Sequence, residues 1–287
     1  MKGLLLAITA ALFLSVTNVT TALHYEAGST PMTFLVGRYL LFVIFTIIVL
    51  LFLRKLQSVP LPILPHAIVA GTLNAAGAVA LGFAFARIEV GLAVLLLYLY
   101  PLMTELLVAG LDRRRPDTRI IVALCLMLAG LTLALDVRRP ALDPYGVALA
   151  VLAAFAFSTS FIWTDRTLYS LSNSMRVLTL GSVGLVFVIV LASVLGGVVW
   201  PLPSQSAVIT LIAATSSFSF AYVALFAAIA ALGSTLTTRM MNLEPPVTLG
   251  LAWLILNESL SALQIMGCGI VLASLIGSKV WVRSVEK

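Results

Sequence analysis

One long apolar stretch, residues 232–258, carries Arg239, Asn242 and Glu244 in its interior. A charged side chain at mid-membrane costs roughly 2.5 to 3.5 kcal/mol on insertion scales, so such residues usually face a partner or an aqueous path. The dipeptide Pro245-Pro246 follows directly. Because proline removes a backbone donor and lipid cannot satisfy the freed carbonyl groups, we expect a broken helix that lines a polar site.

The same pattern occurs 144 residues earlier, in residues 94–114. With that shift the matched pairs are Tyr98 with Asn242, Tyr100 with Glu244, Pro101 with Pro245, Thr104 with Thr248 and Gly130 with Ser274. With a shift of 143, Gly3, Ala7, Ala10, Ala11 and Ser15 match Gly146, Ala150, Ala153, Ala154 and Ser158. Polar, proline-interrupted segments at corresponding places in two halves indicate a transporter's binding site, so we expect the substrate between these two helices.

The composition identifies an integral membrane protein. Of the 287 residues, 61% are hydrophobic and 10% charged, and the mean hydropathy is +1.14. Apolar runs of about 18 to 25 residues recur along the chain, and we count ten. The sequence therefore predicts an all-α membrane protein with ten transmembrane helices in two repeats, residues 1–139 and 140–287. The loop from Asp136 to Pro144 separates them.

The distribution of basic residues predicts the topology. If the N-terminus is cytoplasmic, twelve Lys and Arg residues lie at cytoplasmic positions and three at outside positions. The positive-inside rule then places both termini in the cytoplasm. Since each half has five spans, an odd number, the second half must run inverted relative to the first.

Other classes of protein find little support. The net charge of +6 sits at helix ends rather than on one soluble face, so we expect no nucleic-acid partner. Both cysteines, Cys125 and Cys268, lie in apolar spans, which predicts no metal site and no cofactor. The two histidines lie at helix ends, and no Ser-His pair suggests an enzyme. A channel remains a further alternative.

Two ionic residues are candidates for a gate. Glu105 lies six residues before the cytoplasmic end of the fourth span, and Arg239 lies six residues after the start of the ninth. At 1.5 Å per residue they have similar depths, so we predict an ion pair that closes the cytoplasmic side, near the breaks at Pro101 and Pro245. Alternatively, each side chain binds backbone carbonyl groups and only stabilises the bundle.

Glu244 has two interpretations. It is either a carboxyl group that binds and releases protons to couple transport, or a fixed acceptor for amides near the helix break. Arg38, in the second span, is likewise either a carboxylate binder on the periplasmic side or an anchor that reaches the membrane surface.

Aromatic and uncharged polar side chains at similar depths suit a small amphipathic solute. The predicted substrate-binding residues, besides Asn242 and Glu244, are Tyr98, Tyr100, Trp163, Tyr222, Ser15, Asn18, Asn74, Ser158 and Thr159. Trp163 and Tyr222 could instead belong to an aromatic belt at the membrane interface. In the last span, Gly269, Ala273 and Gly277 form a small-residue stripe, which indicates close helix packing or a homodimer.

These features resemble the EamA family of the drug/metabolite transporter superfamily. The duplicated five-helix halves fit the resemblance, as do Arg38, Glu244-Pro245, Asn257-Glu258 and Gln264 with Gly267. The resemblance covers the whole chain. It implies an alternating-access exporter of amino acids, especially aromatic ones, or related metabolites in the bacterial inner membrane. Relatives also move drugs and nucleotide-sugars, which is the alternative function.

Overall fold

The computed structural model describes residues 2–85, 87–88, 90–134, 143–256 and 260–283. These residues form helices and short connections, with no strand among them. The predicted boundary between the halves and Asn257-Glu258 both lie outside the described residues. The helices are α1 (Lys2–Glu26), α2 (Pro31–Phe52), α3 (Leu64–Phe85), α4 (Val90–Leu97), α5 (Tyr100–Leu111), α6 (Thr118–Ala134), α7 (Pro144–Thr167), α8 (Asn173–Leu195), α9 (Gln205–Leu232), α10 (Ser234–Met240), α11 (Glu244–Leu256) and α12 (Ala262–Arg283).

These helices build the ten predicted spans. Seven segments are long and apolar enough to cross a membrane, and one of them joins α4 and α5. The helices α6 and α12 and the interrupted pair α10 and α11 supply the other three. An even number of spans returns the chain to the side on which it started. We call that side the terminal face and the other side the opposite face.

Local sequence signals explain where the helices begin. Thr30, Ser172 and Ser204 each accept a hydrogen bond from a backbone N–H in the first turn of α2, α8 and α9. Asp143 does the same for α7, which has proline at its first position. The Tyr145 N–H, followed by the neighbouring Arg87 guanidinium, holds the pKa of Asp143 below its ordinary value.

Helix α1 of the first half packs antiparallel against helix α9 of the second half. At one end of α1 the Cβ position of Gly3 would meet Leu232 of α9, and at the other end His24 Nδ1 lies 2.9 Å from the Ala207 carbonyl oxygen. The helices α3 and α7 form a second extensive pair. Because α1 corresponds to α7 and α9 to α3, the two pairs are equivalent. This arrangement confirms two inverted repeats.

Glycines allow close contacts between corresponding helices of the two halves. On α8, Gly181 lies against Phe42 and Gly184 against Tyr39 of α2. On α12, a Cβ at Gly267 would overlap the Ala134 nitrogen of α6. By contrast, nothing within the described chain lies within 4 Å of such a Cβ at Gly269. Close packing was expected at the small-residue stripe. It occurs at Gly267, which is outside the stripe, and not at Gly269, which is part of it.

Candidate functional site

Both predicted helix breaks are present at corresponding places. The fourth span is interrupted between α4 and α5, next to Pro101, and the ninth span is interrupted by a 3-10 turn, Met241–Leu243, before Glu244 and Pro245. Proline cannot donate the backbone hydrogen bond that would continue the helix. The interruption leaves backbone groups that need partners from neighbouring helices.

Two equivalent serines supply such partners. The Ser15 hydroxyl of α1 donates to the Glu244 carbonyl oxygen at 3.0 Å, and the Ser158 hydroxyl of α7 donates to the Tyr100 carbonyl oxygen at 2.8 Å. Each serine therefore reaches the residue just before the proline of the other half's broken span. The pairs match the shifts of 143 and 144 residues found in the sequence, so the duplication extends to single hydrogen bonds.

The half-buried Glu244 places a carboxylate at the break of the ninth span. Its Oε1 accepts a hydrogen bond of 2.7 Å from Asn18 Nδ2 of α1, and the side chain of Tyr98, in the turn between α4 and α5, lies next to the same carboxylate. Asn18 Nδ2 also lies 3.5 Å from the Thr248 hydroxyl, one turn further along α11. Three spans thus converge on one carboxylate. Glu244, Asn18 and Tyr98 were all predicted from the sequence as site residues.

A continuous row of aromatic rings leads away from this carboxylate. We call it the aromatic row; it consists of Tyr98, Tyr100, Phe161, Phe226, Tyr222 and Phe218. Consecutive ring centroids lie 4.1 to 6.1 Å apart. Such spacing is typical of favourable edge and offset contacts between rings. The three phenylalanines were not predicted, because phenylalanine is a common filler of apolar spans and carries no polar signal.

At the far end of the row lies a second polar group. The Tyr222 hydroxyl donates to Asn74 Oδ1 at 2.8 Å, and Asn74 is 3% exposed. Tyr222 therefore lies inside the bundle, packed against Phe218, rather than in an interface belt. Asn74 and Tyr222 come from α3 and α9, which do not contribute to the group around Glu244.

The remaining predicted substrate residues lie elsewhere. Trp163 packs against His66, with ring centroids 5.8 Å apart, near the terminal face. The Thr159 hydroxyl bonds within its own helix, to the Phe155 carbonyl oxygen. Asn242 is buried in the helix break, where its Nδ2 donates to the Arg239 carbonyl oxygen at 3.0 Å.

The predicted ion pair between Glu105 and Arg239 is not formed. Glu105 is fully buried, but Arg114 Nη1 lies 2.9 Å from its Oε1, without the geometry of a hydrogen bond. This carboxylate raises the pKa of Arg114. Arg239 donates from Nε to the Thr235 carbonyl oxygen, and its buried Nη1 has no hydrogen-bond partner among the described residues. Arg239 thus matches the alternative interpretation, in which its side chain binds a backbone carbonyl group.

The turn after α5 explains this exchange of partners. Arg113 adopts a positive φ of 52°, and the Arg114 N–H bonds back to the Ala109 carbonyl oxygen at 2.9 Å. This turn ends the helix and directs Arg114 back over its last turns. The left-handed position of such a turn is usually a glycine, but here it is Arg113, so no residue in the sequence indicates that a loop arginine reaches Glu105.

We expect Glu105→Gln to lower thermal stability more than Arg114→Gln. Removing one member of a fully buried ion pair lowers the free energy of unfolding by about 3 to 5 kcal/mol. Because solvent screens the half-exposed Arg114, we expect Glu105→Gln to lower it by about 1 to 3 kcal/mol. Glu105→Gln also removes the negative charge that acts on buried Arg239. Thermal melting of the purified variants measures the difference. Equal melting temperatures for wild type and Glu105→Gln would contradict the assignment.

The two faces of the bundle differ where the halves should be equivalent. On the terminal face α5 packs against α10, within the fourth and ninth spans. The equivalent pair on the opposite face is α4 and α11, and over the described residues these helices show no comparable packing contact. The broken spans therefore converge towards the terminal face and diverge towards the opposite face.

Inverted five-span halves with paired helix breaks and a carboxylate between them define a membrane transporter fold. Comparison with known proteins agrees. The model of the EamA-like transporter family matches residues 1–135 and 144–279. The chain belongs to this family.

The same fold is known from solved structures. One of them, described only as the crystal structure of a protein, aligns with a TM-score of 0.80 and 17% identity, over 99% of this chain and 99% of that one. At this identity the likeness establishes the fold alone. No curated protein matches the sequence.

Proposed function

We propose that this chain is a secondary transporter that exports amino acids or similar small metabolites across the bacterial inner membrane by alternating access, with both termini in the cytoplasm. The observation that carries the proposal is the Glu244 carboxylate at a helix break between inverted halves, bonded to Asn18 and next to Tyr98. A carboxylate there offers an ionic partner to the ammonium group of an amino acid.

The neighbouring chemistry favours an amphipathic cargo. The aromatic row offers ring faces and edges for an apolar side chain, and aromatic faces also attract cations. Among the candidate site and gate residues, Arg38 and Arg239 balance the charges of Glu105 and Glu244. A zwitterion with an apolar side chain fits this combination better than a strongly charged nucleotide-sugar.

The asymmetry of the broken spans supports alternating access. The inverted repeat allows the contact of α5 with α10 and the gap between α4 and α11 to exchange, which would open the terminal face and close the opposite face. The Glu105–Arg114 pair then holds the terminal face closed in the present conformation.

Counterflow in liposomes tests the function. Purified protein would be reconstituted with a high internal concentration of one unlabelled solute and a trace of the labelled solute outside. We expect transient accumulation of label for amino acids with aromatic or large apolar side chains. Accumulation only for amphipathic cations would favour the drug-exporter alternative. Label that merely equilibrates, without saturation, would indicate a channel.

A further inference from the structure

A second group of polar side chains lies between the middle of the bundle and the opposite face. Arg38 follows the start of α2 by seven residues, which places it about 10 Å inside the helix. Its neighbours one turn away, Phe34 and Phe42, are both buried, whereas Leu40 and Ile44 of the same helix are exposed. Arg38 therefore faces the interior of the bundle rather than lipid.

The Arg38 guanidinium lies over an aromatic ring rather than beside an acid. Its Cζ is 4.5 Å from the ring centroid of Phe218, the last member of the aromatic row. None of the ion pairs among the described residues involves Arg38. A cation on a ring face keeps its in-plane N–H groups available, so the guanidinium remains able to bind an anion.

Four buried polar atoms on α2, α3 and α9, one of them in this guanidinium, have no hydrogen-bond partner among the described residues. We call them the donor cluster: Arg38 Nε, Tyr39 Oη, Asn74 Nδ2 and Thr215 Oγ1. The last three belong to residues that are each 3% exposed. Native proteins rarely leave buried polar atoms unpaired, and a group of them in one place indicates a ligand that the protein binds there.

A chain of contacts connects the residues that carry these atoms. Arg38 Cζ lies 5.6 Å from the Tyr39 ring centroid, and Thr215 precedes Phe218 by one turn on α9. Phe218 contacts Tyr222, which holds Asn74 through its hydroxyl. The Oδ1 of Asn74 is thereby occupied, and its amide N–H groups remain. The cluster can donate from a guanidinium, an amide and two hydroxyl groups.

We propose that the donor cluster is a carboxylate subsite on the exit side of the transport path. Two carboxylate oxygens can accept hydrogen bonds from a guanidinium and from neighbouring neutral donors at the same time. The subsite is separate from Glu244, since it lies at the other end of the aromatic row. The inference rests on the proposed function, because it assigns the carboxylate to the transported solute.

Competition in the counterflow assay tests the subsite. Labelled phenylalanine would be competed with unlabelled phenylalanine and with its amide, which keeps the ammonium group and ring but lacks the carboxylate. We expect wild type to prefer the acid over the amide by about tenfold or more, as charged hydrogen bonds allow. Arg38→Gln should remove that preference by weakening acid binding, while competition by the amide stays the same.

Milder variants separate binding from folding. Tyr39→Phe and Thr215→Val each remove one hydroxyl group and keep the shape of the side chain, so each should reduce the preference about threefold without a change in melting temperature. Arg38→Lys should restore part of the preference. The control is Arg54→Gln, at an exposed arginine in a loop on the terminal face, which should match wild type.

The outcomes distinguish this proposal from the proposed function. If wild type transports phenylalanine but Arg38→Gln, or the two hydroxyl variants should Arg38→Gln not fold, keeps the full preference for the acid, the subsite is wrong and the transporter stands. Absence of counterflow with any amino acid in the folded wild type would overturn both. Loss of preference in the variants with retained folding supports the subsite.

Discussion

Glu244→Gln is expected to reduce the initial rate of counterflow by about ten- to a hundredfold. The substitution keeps the size of the side chain but removes the charge that meets Asn18 and Tyr98 between three spans. Hydrogen bonds to charged groups contribute about 1.5 to 3 kcal/mol, which corresponds to this range of binding constants. The measurement is the rate per reconstituted protein, at several external pH values.

The pH series also separates the two interpretations of Glu244. If the carboxyl group couples transport to protons, the residual transport by Glu244→Gln should lose the pH dependence of wild type. If it is only a fixed acceptor, the rate falls and the pH dependence stays. Glu26→Gln, at an exposed acid at the end of α1, is the control and should behave as wild type. An unchanged rate for Glu244→Gln would contradict the proposed site.

Gly267→Ala is expected to destabilise the protein by about 1 to 3 kcal/mol, the typical effect of overpacking, or more. A Cβ here would overlap the Ala134 nitrogen and lie 2.5 Å from the Gly130 carbonyl oxygen. Because these are backbone atoms, no side chain can move aside, and α6 and α12 must separate. The measurement is the melting temperature of the purified variant.

The matched control lies two residues away on the same helix. Gly269→Ala would place its Cβ in open space, so its melting temperature should equal that of wild type or rise slightly, since alanine favours helix over glycine. Equal stability of Gly267→Ala and Gly269→Ala would contradict the close packing of α6 against α12 at Gly267.

The fold followed from the sequence because membranes restrict structure strongly. Apolar runs had to become helices, and an odd number of spans in each duplicated half required inversion. The prolines at 101 and 245 located the breaks, since a missing backbone donor acts at its own position. The family resemblance to EamA transporters was confirmed by the family model.

Details of the candidate site were harder to predict. The residues around Glu244 were named because polar atoms in a span are costly and therefore informative. Phe161 and Phe226, which connect Tyr100 to Tyr222, carry no such signal. The partner of Glu105 depended on a left-handed residue, Arg113, in a turn without glycine. Depth along two helices could not reveal that loop conformation.

Accessibility of Thr248 tests the central claim most directly, namely that inverted halves enclose a solute site open to the opposite face. A cysteine would replace Thr248 in a variant whose Cys125 and Cys268 are serine. We predict labelling by an impermeant maleimide added to intact cells, and protection by saturating cargo. Ile44→Cys on the exposed face of α2 should not be labelled. Failure of Thr248→Cys to react, or labelling unaffected by cargo, would contradict the account.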